Sequence, residues 1–265
     1  MMLRLTWLPV VCIALLCVST AGAKTASPLD AEQLELRWQR YADRALQTRP
    51  ALDFPYAHCF TRAAAAHDLP ETLLLAVARG ESDFKPDARS KASAIGLMQI
   101  LWPDTARHLG LNRMAEELDP CTNGDAGARY LKELLTRYEG NLHRSLAAYN
   151  YGPARIPVSG GRLPDGAVWY SGYILRHLDF VLNGSRKAPA GAARQRYAQQ
   201  GRLFIIHFSR PYRAAAFVDR LQPGFGDLRL DWFRRADGGF DVVLQYADEH
   251  ERRRGQQLLE RLGFG

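Results

Sequence analysis

The sequence predicts a mainly α chain followed by a small α+β domain, and three observations carry that reading. Apolar residues from Leu34 to Leu182 recur at helical spacing, and no strand alternation interrupts them between Tyr56 and Leu182. The segment "NGSRKAPAGAARQR", residues 183–196, then breaks the pattern with small residues, a proline and basic side chains. Beyond it, short apolar runs flank Asp237-Gly238-Gly239, which reads as a hairpin. A length of 265 residues suffices for one large or two small domains, and 47% hydrophobic with 24% charged residues is ordinary globular composition.

The first element is not part of the fold. Arg4 precedes an apolar run from Leu5 to Val18, and Ala21-Gly22-Ala23 offers a small-residue cleavage site before Lys24. The run is short for a membrane span, so residues 1–23 read as a secretory signal peptide, with an uncleaved anchor as the alternative. Cys17 lacks the small residues a lipoprotein site needs before its cysteine, since Ala14-Leu15-Leu16 stands there. Cleavage leaves Cys59 and Cys121, two cysteines in an exported chain, which suggests one disulfide. It also removes one positive charge, Arg4, so the formal charge falls from +7 to +6. No zinc-finger, helix-turn-helix or aromatic-basic pattern accompanies that charge, which argues against nucleic acid and leaves anionic wall polymer as the simpler partner.

Residues 24–55 form an N-terminal extension whose Leu34, Trp38, Tyr41 and Ala45 share one helical face. Residues 56–182 alternate helical runs with short loops. Cys59–Leu69 is Ala-rich, Pro70–Arg79 begins with proline where no backbone N–H is needed, and Pro103–Leu109 is a short helix. Asn123 and Asn141 are predicted N-caps of the next two runs, and Gly166–Leu182 is the last helix. Residues 183–199 read as a linker. Over residues 200–265 the order is βαββα: "RLFIIHF", Tyr212–Leu221, "LRLDWFRR", "FDVVLQY" and a charged amphipathic helix.

Within this frame Glu81 is the most informative residue. Leu74, Val77 and Ala78 mark one helical face, and Glu81 is the next position on that stripe. A carboxyl held against apolar walls keeps its proton to higher pH, as a general acid near neutrality requires. Alone, a Glu after a Gly more often ends a helix in solvent.

The residues after Glu81 decide between these readings. The chain runs "ESDFKPDARSKASAIGLMQILWPDTA" and, some fifty residues on, "AAYNYGP". Glu81-Ser82, Phe84, Pro86, Ala88 and Ser90, then Gly96-Leu97-Met98-Gln99-Ile100, then Ala148-Tyr149-Asn150 and Gly152 resemble the ordered blocks of the soluble lytic transglycosylase (SLT) family. The resemblance implies a lysozyme-like all-α catalytic domain over 56–182 and a lyase that cuts the MurNAc–GlcNAc β-1,4 bond of peptidoglycan, leaving 1,6-anhydroMurNAc ends. It implies Glu81 as the catalytic acid, with Ser90, Met98, Gln99, Tyr149, Asn150 and Tyr173 around the substrate. Tyr149 would sit near Glu81 with its hydroxyl steadying the acid or the sugar, Met98 would line the apolar side of the cleft, and Ser82 would support the loop. Gly96, Ile100 and Asn150 also have a structural reading as bend, packing and cap. Asp83 is expected to turn away on a continuing helix, and Asp104 fits no family position. Trp169 stands where the family usually carries a glutamate, leaving it to stack on a sugar or to pack in the core.

"CF" at Cys59-Phe60 and "PC.N" at Pro120–Asn123 are similar to the small secretion- and pilus-associated members, which points to a Cys59–Cys121 bridge closing a loop of about sixty residues. Such a bridge contributes on the order of 4 kcal/mol. The resemblance further implies periplasmic action, glycan strands as substrate, components of a secretion, pilus or conjugation apparatus as partners, and neither metal nor organic cofactor. A peptidoglycan-binding scaffold with little catalysis is the alternative. The C-terminal βαββα order faintly resembles sporulation-related repeat (SPOR) domains, with a protein-docking module as the alternative, and a chain ended after Leu182 is expected to stay folded and active without it.

Overall fold

The computed structural model describes residues 30–184, 201–235 and 237–264. The signal-peptide segment and most of the expected linker lie outside these. Among the described residues no helix is long and apolar enough to cross a membrane.

Helix α1 (Ala31–Ala42) is capped by the Asp30 carboxylate on the Gln33 N–H. It buries Leu34, Trp38 and Tyr41, the stripe expected from the sequence. Its buried polar tips are satisfied: Trp38 donates to Ser171 (2.8 Å) and the Tyr41 hydroxyl meets Thr72 (2.7 Å). Helix α2 (Ala57–His67) and α3 (Glu71–Glu81) follow, and α3 is buried on all sides from Thr72 to Gly80. The helix after the cleft loop, α4, is Asp104–His108.

Helix α5 (Pro120–Arg137) begins four residues earlier than a cap at Asn123 would give. Asp119 caps it through the Thr122 N–H (2.8 Å), with Pro120 in the first turn. That frees buried Asn123 for another task, described below. Asn141 caps α6 (Leu142–Tyr151) as expected, by accepting from the Arg144 N–H (2.9 Å). The last helix of this part is α7 (Asp165–Asn183), and α3 packs along it. Cys59 and Cys121 are disulfide-bonded, with Cα atoms 4.7 Å apart and a separation of 62 residues, joining α2 to α5.

One departure from the all-α expectation lies over the cleft. Two-residue strands β1 (Ala94–Ile95) and β2 (Ile100–Leu101) pair antiparallel around the Gly96–Gln99 turn. Strands that short leave no alternation to read.

The C-terminal part has the predicted βαββα order: β3 (Gly201–Phe208), α8 (Pro211–Leu221), β4 (Arg229–Arg234), β5 (Phe240–Tyr246) and α9 (Glu249–Arg261). The strands form an antiparallel sheet ordered β3-β5-β4. Phe264 joins no strand and packs edge-on against Phe217 of α8. Leu230, Leu244, Leu259 and Phe225 make a small core of their own.

This sheet is fastened to the helices. Asp231 of β4, 1% exposed, accepts from Arg79 of α3 (2.7 Å), itself 0% exposed, and from Arg176 of α7. Burial alone would raise the Asp231 carboxyl, but Arg176, Arg79 and Arg229 together hold it well below the usual range. Arg79 also donates to His177 Nδ1 (2.6 Å) and lies 3.7 Å from the Phe180 ring centroid. His177 is kept neutral by burial and by the adjacent Arg176 and Arg79. Trp169 stacks on Tyr173 (5.1 Å, 17°) and meets Phe240 edge-on (5.5 Å) with Trp232 at 6.5 Å. The tryptophan therefore receives the sheet, and its ring is committed to that packing rather than to a sugar.

Candidate active site

Glu81 is the last residue of α3, and the helix stops there because Ser82 leaves the helical region and Asp83 and Phe84 take positive φ (52° and 60°). The acid is delivered by a rigid, buried helix but faces a cavity of about 900 Å³. Ser90, Gln99, Tyr149 and Asn150 line the same cavity. Burial pushes the Glu81 carboxyl above the ordinary carboxylate value, while the Tyr170 hydroxyl and the Arg234 guanidinium pull less strongly the other way.

The hydroxyl that donates to Glu81 Oε1 is that of Tyr170, not Tyr149. Tyr149 lies close enough for the two charges to be felt, yet its own hydroxyl donates to the Met98 carbonyl (2.8 Å). Burial raises both phenols well above the ordinary tyrosine value, so each remains a neutral donor. Tyr170 sits one position from Trp169 in "WYSGY", and helical phase alone does not reveal which of three neighbouring aromatics reaches the acid. The available signal was its offset of three from Tyr173, which puts both on the α7 face toward α3.

Tyr173 holds backbone rather than lining the cavity. It donates to the Gly80 carbonyl (2.9 Å) and accepts from the Arg234 N–H (3.1 Å). Met98 is likewise fully buried, packed on Gly127, where any Cβ would approach it to 2.5 Å. Neither faces the cleft as the sequence reading expected, since Tyr173 is consumed by backbone hydrogen bonds and Met98 by packing.

The β1–β2 turn is held from beneath. Ser82 Oγ donates to the Leu97 carbonyl (2.9 Å), as its expected loop-supporting role requires. Asn123 accepts from the Met98 N–H (2.7 Å) and donates to the Ile95 carbonyl (3.1 Å). Gly96 has φ +81°, and a Cβ there would meet the Asn123 side chain at 2.3 Å. The glycine thus makes room for a buried amide. Gln99, at φ 51°, donates to the Ala88 and Gly96 carbonyls (3.1 and 3.0 Å), and Ser90 Oγ accepts from the Ala94 N–H (2.9 Å). The loop is therefore pre-shaped.

Asp83 corrects a further expectation. Because the helix ends at Glu81, Asp83 does not turn away; it lines the cavity and ion-pairs with Arg202 of β3. Arg202, Phe233, Arg234 and Asp241 line the cavity from the sheet side, which the sequence did not suggest. Among the described residues, the one cluster with metal-ligand chemistry is His58 with the disulfide-bonded Cys59 and Cys121, whose sulfurs the bridge already uses.

The transglycosylase SLT domain family matches residues 58–161. The soluble lytic murein transglycosylase of Escherichia coli K12 is 37% identical over 112 residues, covering 39% of this chain and 17% of that protein. Membrane-bound lytic murein transglycosylase F 2 of Alkalilimnicola ehrlichii is 37% identical over 120 residues, covering 43% of this chain and 26% of its own. The 70 kDa soluble lytic transglycosylase of E. coli superposes on 60% of this chain and 29% of its own with 28% identity and a TM-score of 0.39, so the sequence matches carry the assignment. The chain spans about a sixth to a quarter of these curated relatives' lengths.

Proposed function

Residues 58–161 match the transglycosylase SLT domain family, and from that match we propose that the chain is a peptidoglycan lytic transglycosylase with Glu81 as its acid and base. The observation that carries the proposal is a carboxyl whose pKa burial raises, lining a large cavity inside the matched segment. Protonated Glu81 gives its proton to the oxygen joining MurNAc C1 to GlcNAc, and that C–O bond breaks through an oxocarbenium-like state. The GlcNAc side leaves with the proton on its O4. The Glu81 carboxylate then takes the proton of the MurNAc C6 hydroxyl while O6 bonds to C1, which closes the 1,6-anhydro ring and restores the acid. Tyr170 steadies the carboxylate stage, because its hydroxyl is a donor to the charged form.

No water is consumed and no second carboxylate is required. Asp83, the nearest alternative acid in the chain, is engaged by Arg202. Ser90, Gln99, Tyr149 and Asn150 supply the substrate-facing wall, with Tyr173 and Met98 supporting it. The division into an N-terminal extension, a catalytic domain and a C-terminal α+β part, a periplasmic site of action after export, and local wall opening around an envelope-spanning machine belong to the same reading. Incubating purified sacculi with wild type and Glu81→Gln tests it: wild type should release soluble fragments and the variant should bind but release none. Equal release by both would overturn it, and binding without release by either would favour the scaffold.

A further inference from the structure

The cavity around Glu81 is bordered by more positive charge than the helical part alone provides. Arg79 is used by Asp231, Arg202 by Asp83, and Arg235 by Asp237 and Asp241. Four further cations line the cavity: Lys85 and Arg89 after the catalytic turn, Arg155 after α6, and Arg234 at the end of β4. All four are exposed, and among the described residues none has a carboxylate partner. Exposed cations are ordinary on a surface; three arginines and a lysine around one cleft, none in an ion pair with a carboxylate among the described residues, make its rim positive.

Arg234 is the best placed of them. Its backbone N–H donates to the Tyr173 hydroxyl (3.1 Å), which donates to the Gly80 carbonyl (2.9 Å), one residue before Glu81. The end of β4 is thus fixed to the catalytic turn by two consecutive hydrogen bonds. Trp169, Trp232 and Phe240 pack behind it. Its guanidinium acts electrostatically on both Glu81 and Tyr170.

The geometry points to a cationic subsite, built by Arg234 of the C-terminal sheet with Arg155, Lys85 and Arg89, that takes the carboxylates of the peptides carried by the glycan beside the bond to be cut. It rests on the substrate proposed above. The C-terminal part is then a wall of the substrate cleft, and it makes the chain selective for peptide-bearing, anionic strands. Guanidinium groups suit this use because they pair carboxylates through a planar fork.

The test is binding, so that it does not depend on turnover. Glu81→Gln protein is titrated with a soluble peptide-bearing glycan fragment and with the same fragment whose carboxylates have been converted to amides. Exposed ion pairs each contribute little, so amidation should weaken binding by about tenfold at low salt, with the gap closing as salt rises. Adding Arg234→Ala, and separately Arg155→Ala, should shrink that gap several-fold while thermal melting stays unchanged, since both side chains are exposed. Equal affinity for the two fragments, or a gap untouched by both substitutions, overturns the subsite while leaving the substrate assignment standing. Failure to bind either fragment overturns the substrate assignment and the subsite with it.

Discussion

At the scale of single residues, the chemistry turns on which groups control the proton of Glu81. Tyr170 donates to the carboxylate, so its hydroxyl lowers the pKa that burial raises. Tyr170→Phe removes that donor and should raise the Glu81 pKa further. The acid must be protonated to start the reaction, so the alkaline limb of kcat/KM against pH should move upward while kcat falls about tenfold or more, because the carboxylate stage loses its support. A limb that stays in place would separate Tyr170 from the acid. Glu117 is the other informative carboxyl: it is fully buried, neither oxygen has a partner among the described residues, and burial pushes it up to about 7. A folded-state value above the unfolded one means the native state holds a proton the unfolded state has lost. Stability is then lost as pH rises from about 4.5 to about 7. Glu117→Gln should flatten that loss and stabilise the protein by roughly 1–3 kcal/mol at pH 7.5, read by urea denaturation. Glu81 was legible because it continued an apolar helical face into an ordered set of motif blocks. Tyr170 and Glu117 were not, because a neighbouring tyrosine and an ordinary surface-looking glutamate acquire their meaning from what packs on them.

At the scale of elements, the helices could be read nearly to their ends, since their apolar stripes and caps are local. The α5 start shifted because Asp119 and Pro120 outcompete Asn123 as a starting signal, and the buried Asn123 is spent on the β1–β2 turn. The strand order was also readable, from the Gly turn and the short apolar runs. What was hidden is the function of Asp231 within "LRLDWFRR": a charge inside an apolar strand needs a buried partner, but the sequence does not say that the partner is Arg79, 152 residues away. Removing it leaves the fully buried Arg79 guanidinium beside a neutral side chain. Asp231→Ala should therefore cost about 3–5 kcal/mol of stability, measured by urea denaturation. A change below about 1 kcal/mol would show that the sheet is held by its aromatic packing alone. Reducing the Cys59–Cys121 bridge should cost on the order of 4 kcal/mol by the same measurement, since it closes a loop between α2 and α5.

At the scale of the whole molecule, the C-terminal sheet is fastened to the helices around Glu81. It neutralises a fully buried arginine two residues before Glu81, pairs with Asp83 two residues after it, and covers Trp169. The expectation that the chain could end after Leu182 treated the two parts as separable, because a Pro- and Ala-rich segment between them says nothing about what docks where. A chain ended at Gly184 should instead lose its cooperative melt or unfold at markedly lower temperature than the intact chain, and an unchanged melting temperature would refute the clamp. The central claim, however, is the reaction itself, and the most direct measurement is mass spectrometry of the fragments released from purified sacculi. Products one water lighter than hydrolytic fragments, absent with Glu81→Gln, are the result this account predicts. Fragments with ordinary reducing ends would contradict it and turn attention to Asp83 as a second carboxylate.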